Sequence, residues 1–403
     1  MTDDGVARHN AKVLFCAQAL GGASPAIVIS LGGLVGQAIA PDPTYATVPV
    51  SLLQLGIAAG TIPAALAMRC FGRRGGYMVG TTIGMVAGSI AAIGATRGSF
   101  LLFCLGTFLA GFYSAYVQSY RFAATDVASS AFRARAIAWV MAGGVVAGIV
   151  GPQTVIWTRD LLPGSPFAGG FLGQAGLALL SFGVVAFLRS APAAVTVPGQ
   201  GGGGRPLGEI FAQPRFLLAV LAGLVSYGLM SFVMTAAPLA MVGECGHSLA
   251  SATLGIQWHI LAMYGPSFFT AHLMDRFGRV QVVIAGLLLI AAAALVGLAG
   301  TSVAHFWIAL ILLGIGWNFG FVGATALIAE GARPEERTKT QAMNDFLVFG
   351  SVAAASFSSG SLVNAGGWAM LNWLVLPVVA MTLAALIWGM RRRIFTTPRP
   401  ALT

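Results

Sequence analysis

Two pairs of side chains have the types and spacing to hold a soft cation. Met230 and Met234 stand four residues apart, and so do His259 and Met263. Side chains at this spacing share one helical face, so two adjacent antiparallel helices would present three thioethers and an imidazole to one point. Met230 and His259 lie about 15 and about 14 Å from the same ends of their apolar runs, at 1.5 Å rise per residue. Thioether and imidazole ligands without a carboxylate suit Cu(I). Each residue type also has an ordinary use, since methionine fills irregular cores and an interior histidine serves as a hydrogen-bonded core group or a proton carrier. The nearby loop Glu244-Cys245-Gly246-His247 would be a first outer contact for a metal.

A second set suits a planar organic molecule. Phe112, Tyr113, Tyr116, Gln118, Tyr120, Gln153, Tyr227, Gln257, Trp258, Trp317 and Asn318 all fall within apolar runs. Such residues stack on rings and hydrogen-bond carbonyls, and Tyr116, Gln257, Trp317 and Asn318 are the substrate contacts expected from it. Catalysis is a poor fit, because no nucleophile with a base, no ATP-binding loop and no soluble catalytic domain is visible. An enzyme is therefore excluded, and no resident cofactor is expected. None of the 12 carboxylates sits at the centre of an apolar run; Asp345, about a turn into its run, comes nearest.

These residues are carried on hydrophobic elements of membrane-spanning length. Of 403 residues, 57% are hydrophobic and 8% charged, far from the roughly 25% charge of soluble domains. Twelve apolar runs follow one another between residues 13 and 390, and at this length they predict helices, since lipid offers backbone groups no partner. The net charge of +10 does not mark a nucleic-acid protein, because its basic residues lie at run ends and in loops. Sorted over alternate connections, 20 of the 22 fall on one side, leaving only Arg97 and Arg159 on the other. Positive charge accumulates in cytoplasmic loops, so both termini are expected in the cytoplasm. The cysteines Cys16, Cys70, Cys104 and Cys245 are scattered and form no disulfide or zinc pattern.

An internal repeat organises the runs. Arg69-Cys70-Phe71-Gly72-Arg73-Arg74 is echoed by Asp275-Arg276-Phe277-Gly278-Arg279, 206 residues later from Phe71 to Phe277. Asp126, ahead of Arg133 and Arg135, is echoed by Glu330, ahead of Arg337 and Lys339, 204 residues later. Two offsets this close indicate duplication. They predict an all-α membrane protein with an N-terminal six-helix bundle over 1–189, a cytoplasmic linker over 190–215 and a C-terminal bundle over 216–403. The linker holds four consecutive glycines, Gly201 to Gly204, a flexible composition.

Six runs, a linker and six more, with basic turns after runs 2 and 8, resemble the major facilitator superfamily over essentially the whole chain. Its loop pattern is matched by Leu273, Asp275, Arg276, Gly278 and Arg279, with Ala271 where glycine is usual and Arg69 where the first half would carry aspartate. The resemblance implies a twelve-helix secondary carrier with pseudo-twofold symmetry, working by alternating access around a midplane site, with Arg73, Asp275, Arg276, Gly278 and Arg279 in gating turns. The Met230–Met234 and His259–Met263 pairs are similar to motifs of CcoA-type copper importers, which implies all four side chains as copper ligands. RfnT-type riboflavin transporters share the general pattern and imply a riboflavin-like cargo instead. Gly148, Gly151 and Pro152 are similar to an element of drug exporters. Copper import into a bacterial cell is the leading expectation, by a monomer of the inner membrane whose partners are lipid and one small solute.

Overall fold

A computed structural model describes residues 4–165, 167–189, 205–333 and 336–395. Among the described residues every regular element is helical: α1 (Asp4–Gly21), α2 (Ala23–Ile39), α3 (Val48–Arg97), α4 (Phe100–Gln118), α5 (Tyr120–Ala123), α6 (Ser130–Thr158) and α7 (Ala168–Val185) form the first half. The second half holds α8 (Leu207–Phe211), α9 (Pro214–Leu239), α10 (Leu249–Tyr264), α11 (Ser267–Phe277), α12 (Arg279–Ala299), α13 (Val303–Trp317), α14 (Gly323–Gly331) and α15 (Arg337–Arg391). Single π-helical turns, Ala240–Glu244 and Asn318–Val322, extend α9 and join α13 to α14. Most of the expected linker, residues 190–204, lies outside the described residues.

Nine helical stretches among the described residues are long and apolar enough to cross a membrane. The twelve runs of the sequence reduce to nine for a physical reason. The stretches Pro43–Arg97 and Met343–Arg391 have 55 and 49 residues, and each contains a non-helical glycine, Gly72 and Gly367. The helices α10 and α11, at 16 and 11 residues, are each short of spanning length.

The break at Gly72 turns the chain back on itself. A Cβ on Gly76 would lie 3.0 Å from the Met68 Cα, although eight residues of straight helix span about 12 Å. Gly72 adopts φ 71°, ψ 174°, and its echo Gly278 adopts φ 94°, ψ 147° between α11 and α12. Both conformations are closed to L side chains, so the repeated Phe-Gly-Arg core encodes the same turn twice. At Gly367, with φ 71°, the reversal is held by Glu244, whose carboxylate accepts the Trp368 N–H at 2.8 Å. That bond caps a helix start.

Within a half, helices approach to backbone contact. A Cβ on Gly56 of α3 would run into the Phe108 carbonyl of α4, and one on Gly111 into the Leu53 carbonyl. Small residues at such crossings are how membrane helices associate when the hydrophobic effect between them is weak.

Between the halves the contacts are sparser and lie at mid-depth or at the end away from the basic turns. The Thr47 hydroxyl donates to the Phe357 carbonyl at 3.2 Å, and the Asn364 amide to the Pro43 carbonyl at 2.7 Å. Gly33 of α2 faces the Leu239 side chain of α9. The ion pairs Arg73–Asp126, Arg215–Glu330 and Arg279–Glu330, at the basic end, each stay within one half.

Replacing Gly72 by alanine should cost about 1–3 kcal/mol, the usual scale for such backbone strain. Gly176 of α7 has open space around it, so its alanine variant should be neutral or gain up to about 1 kcal/mol of helix propensity. Thermal unfolding in detergent separates the two; equal midpoints would remove the strain argument.

Candidate functional site

The repeated basic turns are ion-paired in matching fashion. Arg73 reaches Asp126 through Nε at 2.9 Å and through its terminal nitrogen at 3.2 Å, a two-point contact between the α3 turn and the segment after α5. Arg279, at the equivalent turn, contacts Glu330 at the end of α14, which also accepts from Arg215 at 2.7 Å. The two echoes of the sequence are therefore the two ends of one interaction, made once in each half. Asp275 enters no ion pair among the described residues, and the Arg276 guanidinium lies over the Phe277 ring at 5.3 Å. The acidic partner in the second half is thus Glu330, about fifty residues downstream of the turn.

A third pair ties the described start of the linker region to the second half. Glu336 is fully buried and accepts from the Arg205 side chain at 2.9 and 2.8 Å, and from the backbone N–H groups of Arg205 and Arg333 at 3.0 Å each. The Arg205 guanidinium holds the Glu336 carboxyl well below its ordinary value, against the opposing effect of burial, with the two backbone donors assisting.

The four residues read as soft-metal ligands are all buried: Met230, Met234, His259 and Met263. The His259 ring is turned to α13, where Nδ1–H donates to the Leu310 carbonyl at 2.7 Å. This fixes Nε2 as the ring's acceptor, and among the described atoms it has no partner. The backbone carbonyl of Met263 accepts from Asn318 at 2.7 Å, which ties that turn of α10 to the π-turn after α13. The outer loop has structural duties. Glu244 caps Trp368, and the His247 ring donates to the Thr301 carbonyl at 2.7 Å while resting edge-on to Phe306. Among the described residues no three His, Cys, Asp or Glu side chains gather as a metal group.

The aromatic set divides. Tyr116 is built into the core of the first half with Tyr77, Tyr113 and Tyr120, its ring so close to Gly80 that a Cβ there would fall 2.6 Å from its Cγ. Asn318 is fully engaged: its amide donates to the Met263 carbonyl and the Ser267 hydroxyl, and its oxygen accepts from Thr270. It pins the break between α10 and α11, which uses both of its amide hydrogens. Trp317, by contrast, anchors a cluster in the second half. Its ring stacks on Phe321 at 5.4 Å and 21°, meets Tyr227 edge-on at 5.3 Å and Tyr264 at 6.4 Å. Tyr227 also contacts Phe321 and Phe349. The Trp317 indole N–H is buried without a partner among the described atoms, while Tyr227, Tyr264 and Phe321 are only half-buried. Sequence reasoning missed Tyr264 and Phe321. Their signals were available: Tyr264 lies seven residues after Gln257, and Phe321 four after Trp317, both same-face spacings.

Toward the end away from the basic turns, Gln153 of α6 and Gln257 of α10 join the halves, the Gln153 amide donating to the Gln257 carbonyl at 2.9 Å. Beside them Ile260 of α10 packs on Gly148 of α6. The site is therefore a half-open aromatic cluster on the second half, continued along α10 to an amide pair at the seam.

The chain belongs to the major facilitator superfamily, whose description matches residues 14–266 and 219–401. That is a transporter family, not an enzyme family. The riboflavin transporter RfnT of Brucella anthropi is 58% identical to this chain over 387 residues, 96% of this chain and 97% of that protein. An uncharacterized MFS-type transporter of Bacillus subtilis, YddS, is 30% identical over 94% of this chain and 91% of its own length. Among solved structures, the nucleoside transporter NupG covers 98% of this chain and all of its own at TM-score 0.64 and 13% identity. The human organic anion transporter MFSD10 covers 94% of this chain and 99% of its own at TM-score 0.65 and 16% identity. The all-α carrier fold and the multi-pass membrane character expected from the sequence are correct.

Arg73 and Asp126 are partly exposed, at 32% and 24%, so a double-mutant cycle on their alanine variants should give a coupling of only about 0.5–1 kcal/mol, the range of exposed pairs. A cycle between Arg73 and Glu330 should give none, because each pairs within its own half. Coupling of equal size in both cycles would mean that the turns interact across the halves.

Depressed acidity at Glu336 gives its contact a defined pH window. The stabilisation is complete above the ordinary carboxylate value of 4.5 and is lost only as pH falls through the lower folded value. The protection of the Arg205 and Arg333 backbone N–H groups against hydrogen exchange, relative to their intrinsic exchange rates, should therefore be constant between about pH 5 and 8 in the wild type, and severalfold lower in Glu336→Gln at every pH in that range. Equal protection in variant and wild type would show that the pair does not hold this segment.

Proposed function

We propose that this chain is a riboflavin carrier, working by alternating access and in the direction of uptake. The observation that carries the reading is the 58% identity to RfnT along nearly the full length of both chains. The site chemistry supports it. A flat heterocycle finds half-buried rings of Trp317, Tyr227, Tyr264 and Phe321 to stack on, with the Trp317 N–H as an unpartnered donor. This replaces copper as the leading cargo. The sequence placed Met230, Met234, His259 and Met263 on shared faces, but an imidazole bonded to Leu310 and buried thioethers also suit helix packing.

In this proposal the chain makes twelve passes: α3 and α15 each turn back at their glycine, and α10 with α11 makes one broken pass. Both termini and the basic turns lie in the cytoplasm of a bacterium, the carrier acts as a monomer in the inner membrane, and bundles over 1–189 and 216–403 rock about the linker. Latching at the end away from the basic turns makes the structure an inward-facing state.

Uptake of labelled riboflavin by a deletion strain carrying the gene tests this. Trp317→Ala should raise the half-saturating concentration about tenfold, equivalent to 1.4 kcal/mol, which is within the range of an aromatic pair. Trp317→Phe should stay close to wild type. Labelled copper uptake that depends on Met234, with no riboflavin uptake, would overturn the proposal.

A further inference from the structure

The amide pair at the seam has a hydrogen-bonding face that the fold does not use. Gln153 donates to Gln257 at 2.9 Å. The carbonyl oxygen of Gln153 and the amide nitrogen of Gln257 have no protein partner among the described residues, and both residues are half-buried. The pair thus offers one acceptor and one donor side by side. Exchanging oxygen and nitrogen in both amides, an assignment made from the bonding pattern, leaves the same complement.

Position adds to chemistry. Gln257 and Tyr264 are seven residues apart on α10, two turns along nearly one face and about 10 Å in height, the scale of a three-ring heterocycle. Ile260 between them packs on Gly148 of α6, so this stripe looks toward the first half. At its far end Tyr264 meets Trp317 at 6.4 Å.

We propose that Gln153 and Gln257 read the imide edge of the solute, a carbonyl–N–H–carbonyl array such as terminates a flavin ring, while the Trp317 cluster holds its other rings. The ring N–H donates to the free Gln153 oxygen, and a flanking carbonyl accepts from the free Gln257 N–H. One glutamine belongs to each half, so a solute read this way touches both bundles at once and ties its recognition to their closing. This rests on the riboflavin reading.

The test compares riboflavin with riboflavin methylated on the imide nitrogen, which keeps the rings and ribityl chain but loses the donor. The wild type should take up riboflavin and prefer it over the methylated form by about tenfold, as expected when a site's polar group is left unpaired. In Gln153→Ala and Gln257→Ala the preference should fall to about twofold or less, with the remaining uptake of both compounds similar. An amide pair that only packs helices would lower both uptakes and leave their ratio unchanged, which would overturn the inference. Inhibition of wild-type uptake by the methylated compound as strongly as by riboflavin would also overturn it, and needs no variant to fold. Absence of riboflavin uptake by the wild type would instead sink the functional reading itself, so the two failures are distinguishable.

Discussion

The structure depends on how differently its helices meet within a half and between halves. Within a half, glycines let α3 and α4 press carbonyl against Cα, and at that distance dispersion and backbone contacts act over a large area. Between halves the described hydrogen bonds run through hydroxyls and amides: Thr47, Asn364, Gln153 and Gln257. A neutral hydrogen bond is worth about 0.5–1.5 kcal/mol net, so each of these is exchangeable for a bond to water or solute. Halves joined by a few replaceable hydrogen bonds suit the rocking proposed above.

Much of this was written in the residue order. The repeated Phe-Gly-Arg core forecast two equivalent turns, and the structure gives Gly72 and Gly278 the same unusual backbone region. The second echo, Asp126 with Glu330, was visible as a spacing without a meaning; only the fold showed that each is the partner of the arginine in the first echo. The family pattern had pointed to Asp275 and Arg276 as the charged core of the turn. Charge pairing is decided by where α14 ends, which periodicity in the turn does not report.

The cargo site was less legible, and the reason is geometric. Spacing four says that two side chains share a face but not which neighbour that face meets. His259 is consistent with its expected pattern and yet bonds α13, because the helix is rotated by an amount no single sequence encodes. Trp317 and Asn318 are adjacent residues with opposite fates. A π-turn begins between them, which sends the indole into the aromatic cluster and the amide into the break between α10 and α11. Single-turn π segments of this kind recur at functional sites, but no sequence rule placed this one.

Electrostatics weigh the two cargoes independently of any likeness to other proteins. A Cu(I) ion held only by thioethers and imidazole keeps its positive charge, and the apolar runs supply no central carboxylate to balance it. Carrying such a charge through mid-membrane costs on the order of 3 kcal/mol or more, which a carrier must offset with counter-charge or water. Riboflavin carries no net charge at neutral pH, so stacking and a few amide bonds suffice. The absence of carboxylates at the centre of the apolar runs thus favours the proposed neutral, flat solute over an ion. On the proposed riboflavin reading, the lack of a carboxylate at the centre of the apolar runs matches an uncharged cargo.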